Sequence, residues 1–151
     1  MTSAWSQPAR SFGAKVIEEM SPEDCVAFLS KTSTVGRIAF HSSVGQQLVP
    51  VNFVFRDGCL HFATSPESVL AELASGCSDV VFEIDYPDRM TQHGWSVVAR
   101  GETHAADTAS AESAGGRLPH PWAPGKRDVL IEMVPREITG RRIRNDVAPP
   151  R

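Results

Sequence analysis

The chain has 151 residues, of which 41% are hydrophobic and 22% charged, and its formal net charge is -3. That length suits one domain burying roughly two thirds of the surface its unfolded form exposes, and the ordinary composition favours neither a disordered nor a membrane class. Without a basic excess to attract phosphate, no nucleic-acid partner is expected.

Residues 1–20 read as an N-terminal arm, the first 16 of them mixed and without a period. They contain no apolar run of signal-peptide length, and no later stretch reaches transmembrane length, so nothing is expected to export or anchor the chain. Ser21-Pro22-Glu23-Asp24 then supplies an N-cap, a proline at the first helical position and two acids at the positive helix end. Cys25, Phe28 and Leu29 follow at helical spacing, which predicts a helix over 22–31.

The period next changes to two. Ile38 and Phe40, then Val49, Val51, Phe53 and Phe55, then Leu60 and Phe62 alternate with their neighbours and predict three strands. Asp57-Gly58 places a tight hairpin turn between the second and third. Ser65-Pro66-Glu67-Ser68 reads as a second helix start, followed by Val69, Leu70 and Leu73 and stopped by Gly76.

Two further strands are predicted over 79–86 and 95–104, joined by a polar segment containing Pro87 and Gly94. A short surface helix is read over 105–116, then a loop set by Pro119, Pro121 and Pro124 that carries Trp122. A last strand over 128–143 is broken or bulged at Pro135, which has no N–H for a ladder. The reading is one domain over 21–145 and a tail over 146–151. Six strands with short connections and few helices favour a mainly β fold, an antiparallel barrel whose closure removes exposed edges.

Catalytic signatures are few. No G-x-S-x-G, H-E-x-x-H or G-x-G-x-x-G occurs. Pro124-Gly125-Lys126-Arg127 fails as a phosphate loop, since His120 stands five before Gly125 and no Ser or Thr follows the lysine. The five histidines sit on different elements without ligand spacing, so no metal site is expected. Cys25, Cys59 and Cys77 are odd in number and lack C-x-x-C spacing, which reads as reduced cytoplasmic thiols. Glu83 and Asp85 share a strand face, either as a solvated pair or as acid and base. Trp95 serves as a barrel-end plug or a ligand or subunit contact, and Trp122 as a core lid or such a contact. Gly140-Arg141-Arg142-Ile143-Arg144 forms a solvated terminal patch or an anion-capturing one.

Val35-Gly36-Arg37-Ile38-Ala39, Pro50-Val51-Asn52-Phe53, Val81-Phe82-Glu83-Ile84-Asp85, Gly94-Trp95-Ser96-Val97-Val98, Pro121-Trp122-Ala123-Pro124-Gly125 and Ile138-Thr139-Gly140-Arg141-Arg142 occur in that order. Together they resemble the flavin-binding split-barrel family that includes pyridoxamine 5'-phosphate oxidase, in its actinobacterial members of unassigned activity. The resemblance runs from about Ser21 to Ile143. It implies a six-stranded split β-barrel, a homodimer, and flavin mononucleotide (FMN) in clefts between the subunits.

Carried over by position, Val51 and Asn52 would line the flavin ring, while Thr64, Ser65 and Ser68, with the following helix amides, would face the phosphate. Trp95 and Trp122 would wall the cleft, with Arg141 adding charge. Relatives read Arg-Thr-x-x-Gly-x-Lys where this chain reads Ala63-Thr64-Ser65-Pro66-Glu67-Ser68-Val69, so two cations are missing unless Arg37, Arg141 or Arg142 compensates. The resemblance implies an oxidoreductase using FMN, or the deazaflavin F420, on a small molecule. The alternative is a dimeric small-ligand module that has lost its flavin, to which Ala63, Glu67 and Val69 point.

Overall fold

The period-two segments pair into one antiparallel sheet in the computed structural model, which describes residues 14–32, 35–107 and 125–145. Among these residues the strands are β1 (Lys15–Glu19), β2 (Val35–Ser42), β3 (Gly45–Asn52), β4 (Val54–Arg56), β5 (Cys59–Thr64), β6 (Cys77–Asp88), β7 (His93–Ala105) and β8 (Val129–Asn145). One α-helix, α1 (Pro22–Lys31), and one 3₁₀ segment, Val69–Ser75, accompany them. No helix among the described residues is long and apolar enough to cross a membrane.

The strands lie in the order β3-β2-β6-β7-β8-β5-β4, with β1 added alongside β8. The two ends of that row, β3 and β4, are consecutive in the chain and separated only by Phe53. The sheet's edges therefore meet through a covalent corner, and the sheet curls into a split barrel. Inward positions alternate as the pleat requires: Ile38 and Phe40, Leu60 and Phe62, Val80, Phe82 and Ile84, Val97 and Ala99, and Ile131 and Met133 are all buried. Phe82 sits centrally, its ring 4.8 Å from that of Phe53 and 5.5 Å from that of Phe62. It reaches across β2 where Gly36 leaves room, because a Cβ there would lie 2.2 Å from Phe82 Cζ.

Local chemistry explains the ends. Ser21 caps α1 by accepting from the Asp24 N–H at 3.1 Å, and Cys25 and Leu29 turn into the core. Asp57 and Gly58 both take positive φ, 51° and 79°, and join Arg56 to its register partner Cys59 as a two-residue turn. The register of β7 against β8 shifts between Arg100 and Gly101, opposite Glu137 and Pro135, so Pro135 falls at a bulge as its missing N–H demands. A Cβ on Gly101 would meet Val134 O at 2.1 Å, which reserves that position for glycine.

Three features differ from the sequence reading. The predicted strand over 49–55 is two strands, since Phe53 turns into the core and the chain changes partner from β2 to β5. Lys15–Glu19, read as the end of an arm, pairs with β8 and is clamped by ion pairs from Glu18 to Arg142 and Arg144, each 2.9 Å. The eight strands thus contain the six expected, with one divided and one added. The second helix begins at Val69 rather than beside Ser65, because Ser68 is its cap and accepts from the Leu70 N–H at 3.2 Å. The surface helix read over 105–116 lies beyond the described residues after Asp107, as does the loop with Trp122.

Candidate functional site

The covalent corner places the first predicted site residues. Val51 is buried on the inner face of β3 and Asn52, half-buried, ends that strand just before Phe53. β3 also touches β5, whose last residue is Thr64. Ser65 and Ser68 follow in the turn leading to the 3₁₀ segment, both half-buried.

Three amides of that turn are already engaged. Ser68 N–H donates to Ser65 O at 3.1 Å and Ala71 N–H to Ser68 O at 2.9 Å, while Leu70 N–H is held by the Ser68 hydroxyl. An anion arriving here would therefore draw on side chains as well as the remaining amides. Thr64 is 1% exposed, and its Oγ1 is buried with no hydrogen-bond partner. A buried hydroxyl left in this state is destabilising by about 1–3 kcal/mol. An acceptor such as a phosphate oxygen would satisfy it, so the turn fits that group.

The cations named as compensators are placed differently. Arg37 holds Glu83 and Asp85, each at 2.9 Å, which makes that carboxylate pair a partner of a guanidinium. Arg142 holds Glu18, which raises the guanidinium's own pKa and keeps the Glu18 carboxyl below its usual range. Arg141 is exposed on the outer face, across from Ser96 of β7 and Glu19 of β1.

Trp95 and Arg141 come together. Both line a hollow of about 340 Å³ on the β6–β7–β8 face, with Gly94, Ile17 and Ile143. A second hollow of about 550 Å³ shares Ser96 and Arg141 and continues over Val98 and Thr139. The Trp95 ring also packs 4.3 Å from that of Phe28 on α1. Val51, Asn52, Thr64, Ser65 and Ser68 line neither hollow, and Trp122 is outside the described residues.

Sequence spacing missed two groupings. The first is a cross-strand row, His61 on β5, Glu132 on β8 and His104 on β7, in direct register. Glu132 lies 3.6 Å from His61 Nδ1 and 3.1 Å from His104 Nε2. Such a row arises only when three distant segments pair. Among the described residues no group of three His, Cys, Asp or Glu side chains is arranged to hold a metal ion. The second is Arg127, two residues ahead of Val129, which is Thr64's register partner; its Nε is also buried without a partner.

The His61 row gives the fold a pH dependence. Burial pushes the His61 imidazole below its ordinary 6.5 by more than the Glu132 carboxylate raises it, with Arg56 adding to the lowering. The unfolded chain then binds more protons than the folded one between those two values, so stability rises with pH across that window. Stability is expected to fall as pH drops below 6.5, and the loss is complete below the folded value. Denaturant melts across about pH 5–8 check this, and His61→Gln should remove that component; an unchanged slope in the variant would reject it.

Comparison with known proteins places these features. A family model described as pyridoxamine 5'-phosphate oxidase matches residues 21–142. An uncharacterised protein of Mycobacterium tuberculosis is 26% identical over 149 residues, covering 96% of this chain and 97% of that one. A solved structure of a conserved protein of unknown function from Corynebacterium diphtheriae is 32% identical, with a TM-score of 0.63, over 83% of this chain and 96% of that one. The structure of the FAD-binding protein from Mycobacterium smegmatis is 25% identical, with a TM-score of 0.62, over 85% and 100% of the two chains.

Proposed function

The chain belongs to the pyridoxamine 5'-phosphate oxidase family, and on that premise we propose that it is a flavin-binding oxidoreductase acting on a small molecule as a cytoplasmic homodimer. FMN is the flavin of this reading, and when bound it supplies hydride or electron transfer. Val51 and Asn52 at the end of β3 line its ring. Thr64, Ser65 and Ser68 hold its phosphate, Trp95 and Trp122 wall the cleft, and Arg141 adds charge from the second subunit. The protein's part is to bind, orient and exclude water, in keeping with a sequence that has no nucleophile motif.

The observation that carries this reading is the buried, partnerless Thr64 hydroxyl in the turn onto which the resemblance carries the flavin phosphate. The FAD-binding relative supports it, since FAD contains the same riboflavin phosphate. The homodimer draws on the outer face, where Leu48 and Ile17 are each 69% exposed and Val35 and Ile143 are partly so; apolar side chains in that number on one sheet face suit a covered surface. Three free cysteines suit a reducing compartment.

The test is titration of cofactor-stripped protein with FMN, FAD and F420, followed by fluorescence and by the absorption of the repurified complex. Tight binding of FMN and a yellow product are expected. Protein that stays colourless under saturating amounts of all three would overturn the flavin reading and favour a dimeric small-ligand module, for which the uncharged Ala63 and Val69 and the acidic Glu67 speak.

A further inference from the structure

We propose that Thr64 and Arg127 together form the anion site of this protein, taking a phosphate monoester, with Arg127 replacing the cations absent from the turn; the flavin phosphate is its ligand insofar as the proposed function holds. The turn itself offers Ala63, Glu67 and Val69 where charge would be needed. Arg37 and Arg142 are spent on carboxylates, and Arg144 on Glu18.

Two polar atoms near this point are buried with no hydrogen-bond partner, Thr64 Oγ1 and Arg127 Nε. The antiparallel register of β5 and β8 sets them at the same end of that strand pair. Thr64 pairs with Val129 at the very start of β8, and Arg127 stands two residues before it, where the chain enters the strand. Buried polar atoms are nearly always bonded, so two exceptions at one strand end call for a shared acceptor. A phosphate meets the need of both, because a guanidinium presents N–H groups in a fixed fork that matches phosphate oxygens and a hydroxyl can donate to a further oxygen.

Glu67 does not close the site to an anion, since it is exposed and its charge is screened by solvent. With the Ser68, Leu70 and Ala71 amides engaged inside the turn, these two side chains lead the recognition beside the amides that remain.

The experiment uses tag-free full-length protein and two readouts, thermal melting in phosphate against chloride at equal ionic strength, and the ratio of FMN to riboflavin affinity. Phosphate is expected to raise the wild-type melting temperature by about 2–4 °C. FMN should bind about tenfold or more tighter than riboflavin, which has the same ring and no phosphate. Arg127→Ala and Thr64→Val should each lose the phosphate shift and bring the two flavins close to equal, and Arg127→Lys should restore part of both. No phosphate shift in the wild type, or variants that keep the shift and the ratio, would overturn the site. A phosphate shift that Arg127→Ala abolishes in a protein binding no flavin would leave the anion site standing and remove the flavin reading alone.

Discussion

Phe82→Ala is expected to lower the unfolding free energy by about 4 kcal/mol, the largest effect of any single truncation in this core. Phe82 is fully buried on β6, which lies between β2 and β7, and its ring meets those of Phe53 and Phe62. Neighbours held in a sheet on both sides cannot collapse into the space, so the cavity term adds to the lost burial. Gly36 sharpens this, because the backbone of β2 is already as close as the ring allows and no side chain of its own can move in. Phe53 would lose its edge contact at the residue joining β3 to β4. Urea unfolding of the variant should therefore show a large drop, together with weaker protection of the Val51 and Asn52 amides in hydrogen exchange. A loss under about 1.5 kcal/mol, the scale of tolerated volume-conserving swaps, would show that Phe82 is not the element on which the corner rests.

The strands were legible because their inner faces are nearly pure. Ile38 and Phe40, and Leu60 and Phe62, alternate so cleanly with less buried neighbours that the inward-facing set followed from period alone. Phe53 concealed the corner for the same reason: it keeps the alternation going through a point where the chain changes partners, and period says nothing of partners. β1 was hidden because its stability comes from Arg142 and Arg144, more than a hundred residues away, gripping Glu18. Ser65-Pro66 looked like a helix start, yet Ser68 is an equally good cap and lies nearer the apolar run.

The site divides along the same line. Thr64, Ser65 and Ser68 are local in sequence and could be named from it. Arg127 carries no motif, and it enters the proposed anion site only because Thr64 pairs with Val129. Nor could sequence show that Arg37 and Arg142 are already occupied by carboxylates.

Restoring charge to the phosphate turn is expected to tighten FMN binding by about tenfold or more, since a charge-assisted hydrogen bond contributes roughly 1.5–3 kcal/mol and 1.4 kcal/mol is a factor of ten. Where the cations go is decided by packing. Val69 is half-buried against the core, so a lysine there would trade apolar contact for a desolvated ammonium and confound the result. Glu67 is exposed and its exchange for lysine changes the local charge by two units without disturbing the interior. Ala63 is half-buried on the outer side of β5 across from Leu130, where an arginine stem can lie along the sheet with its head in water. Ala63→Arg combined with Glu67→Lys should thus strengthen FMN much more than riboflavin, and the gain should shrink as salt is raised, because exposed charges are screened. If FMN and riboflavin gain equally, the added cations act on the ring or on the protein's stability, and the phosphate lies elsewhere than the end of β5.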